Sequence, residues 1–195
     1  MIKTTISALV LASALALSGQ TKADNVNYEL ETIHSQIVFK INHLGFSNSY
    51  GKFKKFDGTV SFDADNWETA STNVTIETKS IDLENKKWNE HMRSADFFNV
   101  EEFPSMTFNS TKLEKTDENK GLLHGDLTIL GKTLPVTLDL VLNQVGEHPF
   151  SGKPHIGFSA SGMIKRSEFG METYVPAVAD EVYINIEVEA TVPKK

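Results

Sequence analysis

Alternation of apolar and polar side chains is the dominant pattern of this chain. The strongest example runs over residues 181–192, where the even-numbered positions are apolar and the odd-numbered positions are mostly polar. A two-residue period places successive side chains on opposite faces of a β-strand. The same period marks residues 122–130, 134–145 and 155–166. Each of these segments is therefore predicted to be a strand with one apolar and one polar face.

Shorter alternating segments predict further strands, which lie at residues 26–30, 37–41 and 56–62, around Val74 and Ile76, and around Met106 and Phe108. Residues 43–51 are rich in turn formers and predict a loop, and Gly131-Lys132 predicts a tight hairpin turn. The pattern changes between Glu84 and Phe98, where Trp88, Met92 and Ala95 recur at helical spacing. We predict one short helix in this segment.

The fold class that follows is all-β, an antiparallel barrel of about eight strands with one short helix covering an end. Closure into a barrel removes the exposed strand edges that would otherwise pair with other chains. Barrels of this strand number are either filled by side chains or hold one small ligand. Alternation alone does not distinguish these two interiors, nor an outer-membrane barrel with its apolar face outward. The internal helix and the charged residues near the strand ends disfavour the outer-membrane alternative.

The first 23 residues resemble a cleavable secretory signal rather than part of the fold. Lys3 gives a positive start, residues 6–17 are largely apolar, and Thr21 and Ala23 suit a signal peptidase. The apolar run is too short to span a bilayer comfortably. We therefore expect cleavage after Ala23, export to the periplasm, and a mature chain of residues 24–195 that forms a single domain without an integral membrane segment.

Charge and composition exclude several classes of function. Cleavage after Ala23 would remove two lysines and no acid, so the net charge moves from −7 to −9. An acidic chain without a basic block is unsuited to nucleic acid or to anionic membrane surfaces. The absence of cysteine excludes disulfides and thiol nucleophiles.

Candidate catalytic and metal-binding chemistry is sparse. The sequence contains no nucleophile elbow, phosphate-binding glycine loop or His-Glu-x-x-His pair. Its six histidines are scattered, so we predict no metal site, although one assembled across strands stays open. We expect a protein that is not an enzyme. A lipid-acting enzyme is the alternative, with His34, His43 or His91 as its base.

Two polar segments next to aromatic residues have two interpretations each. Residues 91–98 could form a polar clamp at a barrel mouth, or Arg93 or Asp96 could satisfy backbone groups at the helix end while the phenylalanines fill the core. We favour the second interpretation. Residues 166–171 have the same ambiguity, with Gly170 expected to turn the chain so that its neighbours cover one barrel end.

The order and spacing of several short motifs resemble the YceI-like family of exported bacterial proteins, which are described as polyisoprenoid-binding. The matching motifs are Tyr28, His34-Ser35, Val38-Phe39, His43-x-Gly45-Phe46-Ser47, Gly51-x-Phe53, residues 91–98, Phe103-Pro104-x-Met106-x-Phe108, Gly125-x-Leu127-Thr128-Ile129-x-Gly131, Arg166-Ser167-x-Phe169-Gly170-Met171 and Asp180-x-Val182. Met92 departs from the usual leucine and leaves the helix face apolar. The resemblance implies a lipocalin-like barrel whose tunnel holds a polyisoprenoid, an isoprenoid quinone or an acyl chain.

The resemblance and the alternation together give a set of candidate ligand-binding residues. Those expected to line the tunnel are Phe39, Phe62, Ile76, Phe108, Leu127, Ile129, Leu138, Phe158, Ile164, Ile184 and Ile186. Those expected near its mouth are His43, Phe46, His91, Arg93, Phe98, Arg166, Phe169, Met171 and Tyr174. We expect a long-chain lipid as the partner and no cofactor other than such a lipid or a bound isoprenoid quinone. A homodimer and a solid-core stress-response module stay open.

Overall fold

The computed structural model describes residues 25–193, so the signal peptide predicted at residues 1–23 lies outside the described residues. Within that range the strands are β1 (Val26–His43), β2 (Ser47–Phe53), β3 (Phe56–Phe62), β4 (Ser71–Glu77), β5 (Ile81–Asp82), β6 (Ser105–Lys115), β7 (Lys120–Ile129), β8 (Lys132–Glu147), β9 (Pro154–Lys165) and β10 (Val178–Thr191). The α-helix is α1 (Lys86–Arg93), and short 3-10 helices cover Trp67–Thr69, Thr78–Ser80 and Arg166–Phe169. None of the helices in this described part has the length and apolar character needed to cross a bilayer.

Eight of the strands form a closed antiparallel barrel, which confirms the predicted fold class. Their order is β1, β3, β4, β6, β7, β8, β9 and β10, and the pairing of β10 with β1 closes the ring. The long strand β1 pairs with β10 along one edge. Its other edge pairs first with β3 and then with β2. The short strand β5 pairs with the free edge of β2.

A register irregularity in β1 lies between Glu31 and Gln36, where the strand passes β10. The buried Ser35 lies at this point. Its hydroxyl donates to the carbonyl of Glu31 at 2.6 Å and accepts from the backbone N–H of Glu189 at 2.9 Å. This serine therefore connects the two strands that close the barrel, and it accounts for one of the motifs noted in the sequence.

Two sequence predictions about connections are wrong. Residues 43–51 were expected to be a loop, but Ser47–Phe53 is strand β2, with only Leu44–Phe46 in the turn. Pairing with β1 and burial of Gly51 and Phe53 outweigh the turn propensity of the serines and asparagines. The hairpin between β7 and β8 turns at Leu130-Gly131, which have φ of 51° and 71°, one residue earlier than predicted.

The predicted helix is confirmed but shorter than its sequence pattern, at Lys86–Arg93. The Asn85 side chain caps it by accepting from the N–H groups of Lys87 and Trp88. After the helix the chain turns, and Phe97 and Phe98 are buried in the barrel end. Trp88, His91 and Met92 face the barrel interior, so α1 covers one end of the barrel.

Candidate ligand-binding cavity

The barrel interior is hollow. A cavity of about 360 Å³ runs through it, and strands from around the whole ring contribute apolar side chains to its surface. All eleven side chains that the alternation and the resemblance predicted for the tunnel do line this cavity: Phe39, Phe62, Ile76, Phe108, Leu127, Ile129, Leu138, Phe158, Ile164, Ile184 and Ile186. Their position is therefore as expected, while their role in binding a ligand stays a prediction.

Two glycines leave space for aromatic rings that line the cavity. Gly51 of β2 lies directly opposite Phe39 of β1, and a Cβ atom there would be 2.3 Å from the ring. Gly125 of β7 similarly lies under the ring of Phe108, which a Cβ atom at this position would approach to 2.3 Å. Any larger residue would displace these rings, so both glycines define how much of the interior stays open.

A buried aromatic cluster lies at the end of the barrel where β3 is joined to β4. Phe62 packs edge-on against Trp67 at 5.5 Å and against Phe158 at 5.3 Å between ring centroids. The Trp67 indole N–H donates to the carbonyl of Ala64 at 3.1 Å, which fixes its ring over the barrel end. Tyr28 and Ile156 are buried in the same cluster. Buried side chains therefore narrow the interior at this end.

The end covered by α1 is partly open. Trp88 and Tyr174 line the cavity, yet they are 46% and 58% exposed, so solvent reaches the interior between them. The Trp88 ring lies 6.2 Å from that of His43, and the Tyr174 ring lies 6.2 Å from that of His91. His43, His91 and Tyr174 were predicted for the mouth. Trp88 was missed, because its helical spacing indicated the helix and gave no signal for the opening.

Two predicted mouth residues do not line the cavity. Phe46 lies in the turn between β1 and β2 and is 91% exposed. The guanidinium of Arg93 donates to the carbonyls of Lys79 at 2.8 Å and Ile81 at 3.1 Å. Arg93 thus connects α1 to the β5 segment by satisfying backbone groups, which agrees with the structural interpretation favoured from the sequence. The backbone groups belong to that neighbouring segment rather than to the helix end.

Arg166 lines the cavity but is 4% exposed, and each of its guanidinium nitrogens donates one hydrogen bond to a backbone carbonyl. Its Nε, Nη1 and Nη2 atoms donate to the carbonyls of Ala179, Met171 and Val178 at 2.9, 2.8 and 3.0 Å. Burial lowers the pKa of Arg166, and the charge of Asp180 partly offsets this. Arg166 is the one arginine or lysine among the described residues that line the cavity.

The segment after β9 is held in place around Arg166. Burial raises the pKa of Asp180, but hydrogen bonds from the Ser167 N–H and hydroxyl, both 2.8 Å, and the charge of Arg166 outweigh it and leave the pKa below its usual value. Gly170 has φ of 92° and turns the chain. Phe169 and Met171, together with Phe98, are buried against the cavity at the mouth, as the sequence predicted.

The three histidines considered as bases are not gathered in one site. His43 and His91 line the mouth, each beside a different aromatic ring. His34 is absent from the cavity lining and lies at the irregularity of β1, where its Nδ1 atom is 2.8 Å from a Glu31 carboxylate oxygen. The cavity is suited to holding an apolar molecule, with a few polar groups at one end.

A closed antiparallel barrel with an apolar cavity open at one end defines the class of lipocalin-like binding barrels. The sequence pattern of the YceI-like domain matches residues 28–190. The chain therefore belongs to the YceI-like family, which confirms the resemblance seen in the sequence.

Individual relatives agree with this assignment. The YceI protein of Salmonella arizonae is 39% identical over 192 residues, which cover 98% of this chain and 100% of the relative. The crystal structure of Burkholderia cenocepacia BcnA is 30% identical with a TM-score of 0.76, covering 83% of this chain and 99% of BcnA. Campylobacter jejuni YceI is 38% identical with a TM-score of 0.72, covering 80% and 91%.

A more distant structure shares the fold alone. It is described as a polyisoprenoid binding domain from Saccharophagus degradans implicated in plant cell wall breakdown. Its sequence is 14% identical, its TM-score is 0.66, and the match covers 85% of this chain and 98% of that domain.

Proposed function

We propose that this protein is exported to the periplasm and binds a long-chain amphipathic lipid in the barrel cavity, for transport or storage. The candidate lipids are a polyisoprenoid, an isoprenoid quinone or a fatty-acid derivative. The observation that carries the proposal is the hollow, apolar interior, since a folded barrel without a ligand would gain stability by filling it with side chains. The signal-like pattern of residues 1–23 supports export.

The energetics of such a ligand are favourable without any charge on it. Each buried methylene contributes about 0.8 kcal/mol, so a five-carbon isoprene unit contributes roughly 4 kcal/mol before ordering costs. A few units inside the cavity are then enough for tight binding. The chain would enter between Trp88 and Tyr174 and end against the Phe62 cluster.

The mouth favours a neutral polar headgroup. Arg166 is poorly placed to pair with a carboxylate or a phosphate, because its side chain is buried and three of its five N–H groups already donate to backbone carbonyls. His43, His91, Ser49 and Tyr174 offer hydrogen-bonding atoms at the rim. These groups suit the carbonyl of a quinone, a hydroxyl or an amide better than a fully charged head.

The relatives add support for a lipid rather than a reaction. The Saccharophagus degradans domain, which shares the fold, is described as polyisoprenoid-binding. The candidate bases His34, His43 and His91 do not meet at one point of the cavity. We therefore propose a binding role and not catalysis.

Lipid extraction from the purified protein, followed by mass spectrometry, is the direct test. Ala160→Phe would place a ring in the cavity, whereas Ser161→Phe, one residue along β9, places the same ring on the exposed outer face. We expect one bound lipid per chain in the parent and the Ser161 variant, and strongly reduced lipid in a folded Ala160 variant. A parent protein that carries no lipid, and afterwards binds neither a quinone nor a long-chain amide, would contradict the proposal.

A further inference from the structure

A second polar site lies on the outer face of the barrel, where β1 and β10 close the ring. Glu31 and Glu189 are directly opposite each other in the register of these strands. Each carboxylate has a histidine beside it. Glu31 Oε2 is 2.8 Å from His34 Nδ1, and Glu189 Oε2 is 2.8 Å from His155 Nε2. Three strands therefore bring two carboxylates and two imidazoles together.

The backbone around these groups is held in place. The Glu31 carboxylate accepts from the N–H groups of Ile33 and His34, both at 3.0 Å. Ser35 connects the same bend of β1 to Glu189 through two hydrogen bonds. The donor atoms of Glu31, His34 and Glu189 all lie within 4.8 Å of one another. The arrangement is therefore a built cluster and not a chance meeting of long surface side chains.

Within the described residues, no lysine or arginine neutralises the two carboxylates of the cluster. Like charges directly opposite each other on neighbouring strands are destabilising. Within residues 25–193, neither Glu31 nor Glu189 forms an ion pair with a lysine or arginine. The adjoining groove of about 450 Å³ adds Glu147, Glu187 and His148 and is lined by no lysine or arginine of the described chain. A bound divalent cation would relieve the repulsion that the imidazoles relieve only when protonated.

We propose that Glu31, His34 and Glu189 bind one divalent transition-metal ion of the zinc class on the outside of the barrel, and that His155 positions the Glu189 carboxylate through its hydrogen bond. One imidazole nitrogen and two carboxylate oxygens, with water in the fourth position, form a donor set that suits zinc, while an imidazole nitrogen is a poor ligand for magnesium or calcium. Metal–ligand bonds of about 2.0–2.2 Å require neighbouring donor atoms roughly 3.4 Å apart in a tetrahedral site.

Small side-chain movements give that geometry. The Glu31–His34 pair opens slightly from 2.8 Å, and the other separations among the three ligands close from within 4.8 Å. The His34 side chain is 64% exposed and free to adjust, whereas the His155 side chain is 17% exposed and lies beside the tilted ring of His148, 5.0 Å away between ring centroids. His155 thus holds Glu189 in place, and His34 moves to complete the site.

The ion would be separate from the lipid. Neither the three ligands nor His155 line the barrel cavity, so metal binding does not depend on the proposed lipid-binding function. Its place across the β1–β10 closure gives it a structural consequence, because an ion that binds only the folded protein stabilises it.

Calorimetric titration of the full mature chain with zinc sulfate tests the proposal. We expect one zinc ion per chain, no competition from magnesium or calcium, and a zinc-dependent rise in melting temperature. Glu189→Gln and His155→Gln should each weaken zinc binding by about tenfold or more. His124→Gln is the matched control, because His124 Nε2 also lies near a carboxylate, Glu114 at 3.9 Å, but without a second carboxylate and histidine. It should leave the affinity unchanged.

Two further measurements guard against a trivial result. Circular dichroism verifies that each variant is folded. If Glu189→Gln or His155→Gln loses stability, His34→Gln tests the same site by changing only an exposed side chain. The absorption spectrum of the cobalt-substituted protein reports whether nitrogen and oxygen donors surround the ion. The proposal would be overturned if zinc did not bind at 100-fold excess over protein, or if binding persisted in Glu189→Gln. It would also be overturned if His124→Gln lost binding equally, or if one ion bridged two chains at half stoichiometry.

Discussion

The most informative perturbation of the cavity is Gly51→Ala. The added Cβ would lie 2.3 Å from Cζ and 2.7 Å from Cε1 of Phe39, and its three nearest atoms all belong to that ring. The ring can rotate away only toward the barrel interior, because Phe39 already lines the cavity. We expect the unfolding free energy to fall by about 1–2 kcal/mol through overpacking. For a domain of this size each kcal/mol lowers the melting temperature by about 2–4 °C.

Two other glycines calibrate this expectation. Gly125→Ala meets the Phe108 ring at 2.3 Å and also the backbone carbonyl of Asn109 at 2.7 Å, which cannot rotate away. Its cost should be larger, about 3 kcal/mol. Gly157→Ala meets nothing closer than 3.8 Å and serves as the control. It should be neutral or slightly stabilising, since alanine restricts the unfolded chain more than glycine does.

Urea denaturation followed by circular dichroism gives the three free energies. Displacement of a fluorescent fatty-acid probe gives the capacity of the cavity. We expect Gly51→Ala to reduce the amount of bound probe by a larger fraction than it reduces the free energy of unfolding. Gly157→Ala should reduce neither quantity. If Gly51→Ala matched Gly157→Ala in both measurements, the ring of Phe39 would not limit the open volume and the reasoning would be refuted.

Other residues support separate predictions. Arg166→Met removes the donor from one buried and two partly buried carbonyls and should cost about 3 kcal/mol in urea denaturation; a loss below about 1 kcal/mol would mean that water or other groups replace it. The pKa of Asp180 is lower in the folded protein than the value of about 3.9 in an unfolded chain. Its carboxylate therefore stabilises the fold above that pH, and stability is lost as the pH falls through the folded value. In an Asp180→Asn variant, the free energy of unfolding should fall less steeply as the pH decreases. An unchanged slope would mean that other carboxylates cause the loss of stability in acid. Asn85→Ala removes the cap of α1 and should cost about 1 kcal/mol, with faster amide exchange confined to the helix; uniform exchange throughout the barrel would contradict this. Ile184→Glu places a charge in the cavity and should abolish lipid binding, whereas Asn185→Glu on the outer face should not.

Much of the barrel could be predicted from the sequence because a period of two reports directly on which side chains share a face. The residues of β10 show this, since Ile184 and Ile186 line the cavity while Glu187 and Glu189 face outward. Strand β2 was missed because its propensity is weak and pairing with β1 decides its conformation. Local sequence does not carry that long-range pairing.

The arrangement of side chains at the mouth depends on hydrogen-bond and packing partners from other parts of the chain. The alternation of apolar and polar residues carries no information about those partners. Arginine is a residue type that commonly binds headgroups. Here, however, the guanidinium groups of Arg93 and Arg166 donate hydrogen bonds to backbone carbonyls. Phe46 was expected near the ligand and instead lies exposed in a turn. Whether the interior is hollow also depends on how facing rings pack, and Gly51 and Gly125 decide this by their small size.

The pairing of the first strand with the last has a consequence for how the chain folds. The Ser35 and Glu189 groups that join β1 to β10 are 154 residues apart in the sequence. Contacts of such high sequence separation close large loops and slow folding. Because β10 is synthesised last, β1 has no partner on that edge until the whole domain has been made. The seam between β1 and β10 is therefore the last to close, and a lipid or a chaperone would have access to the apolar interior until then.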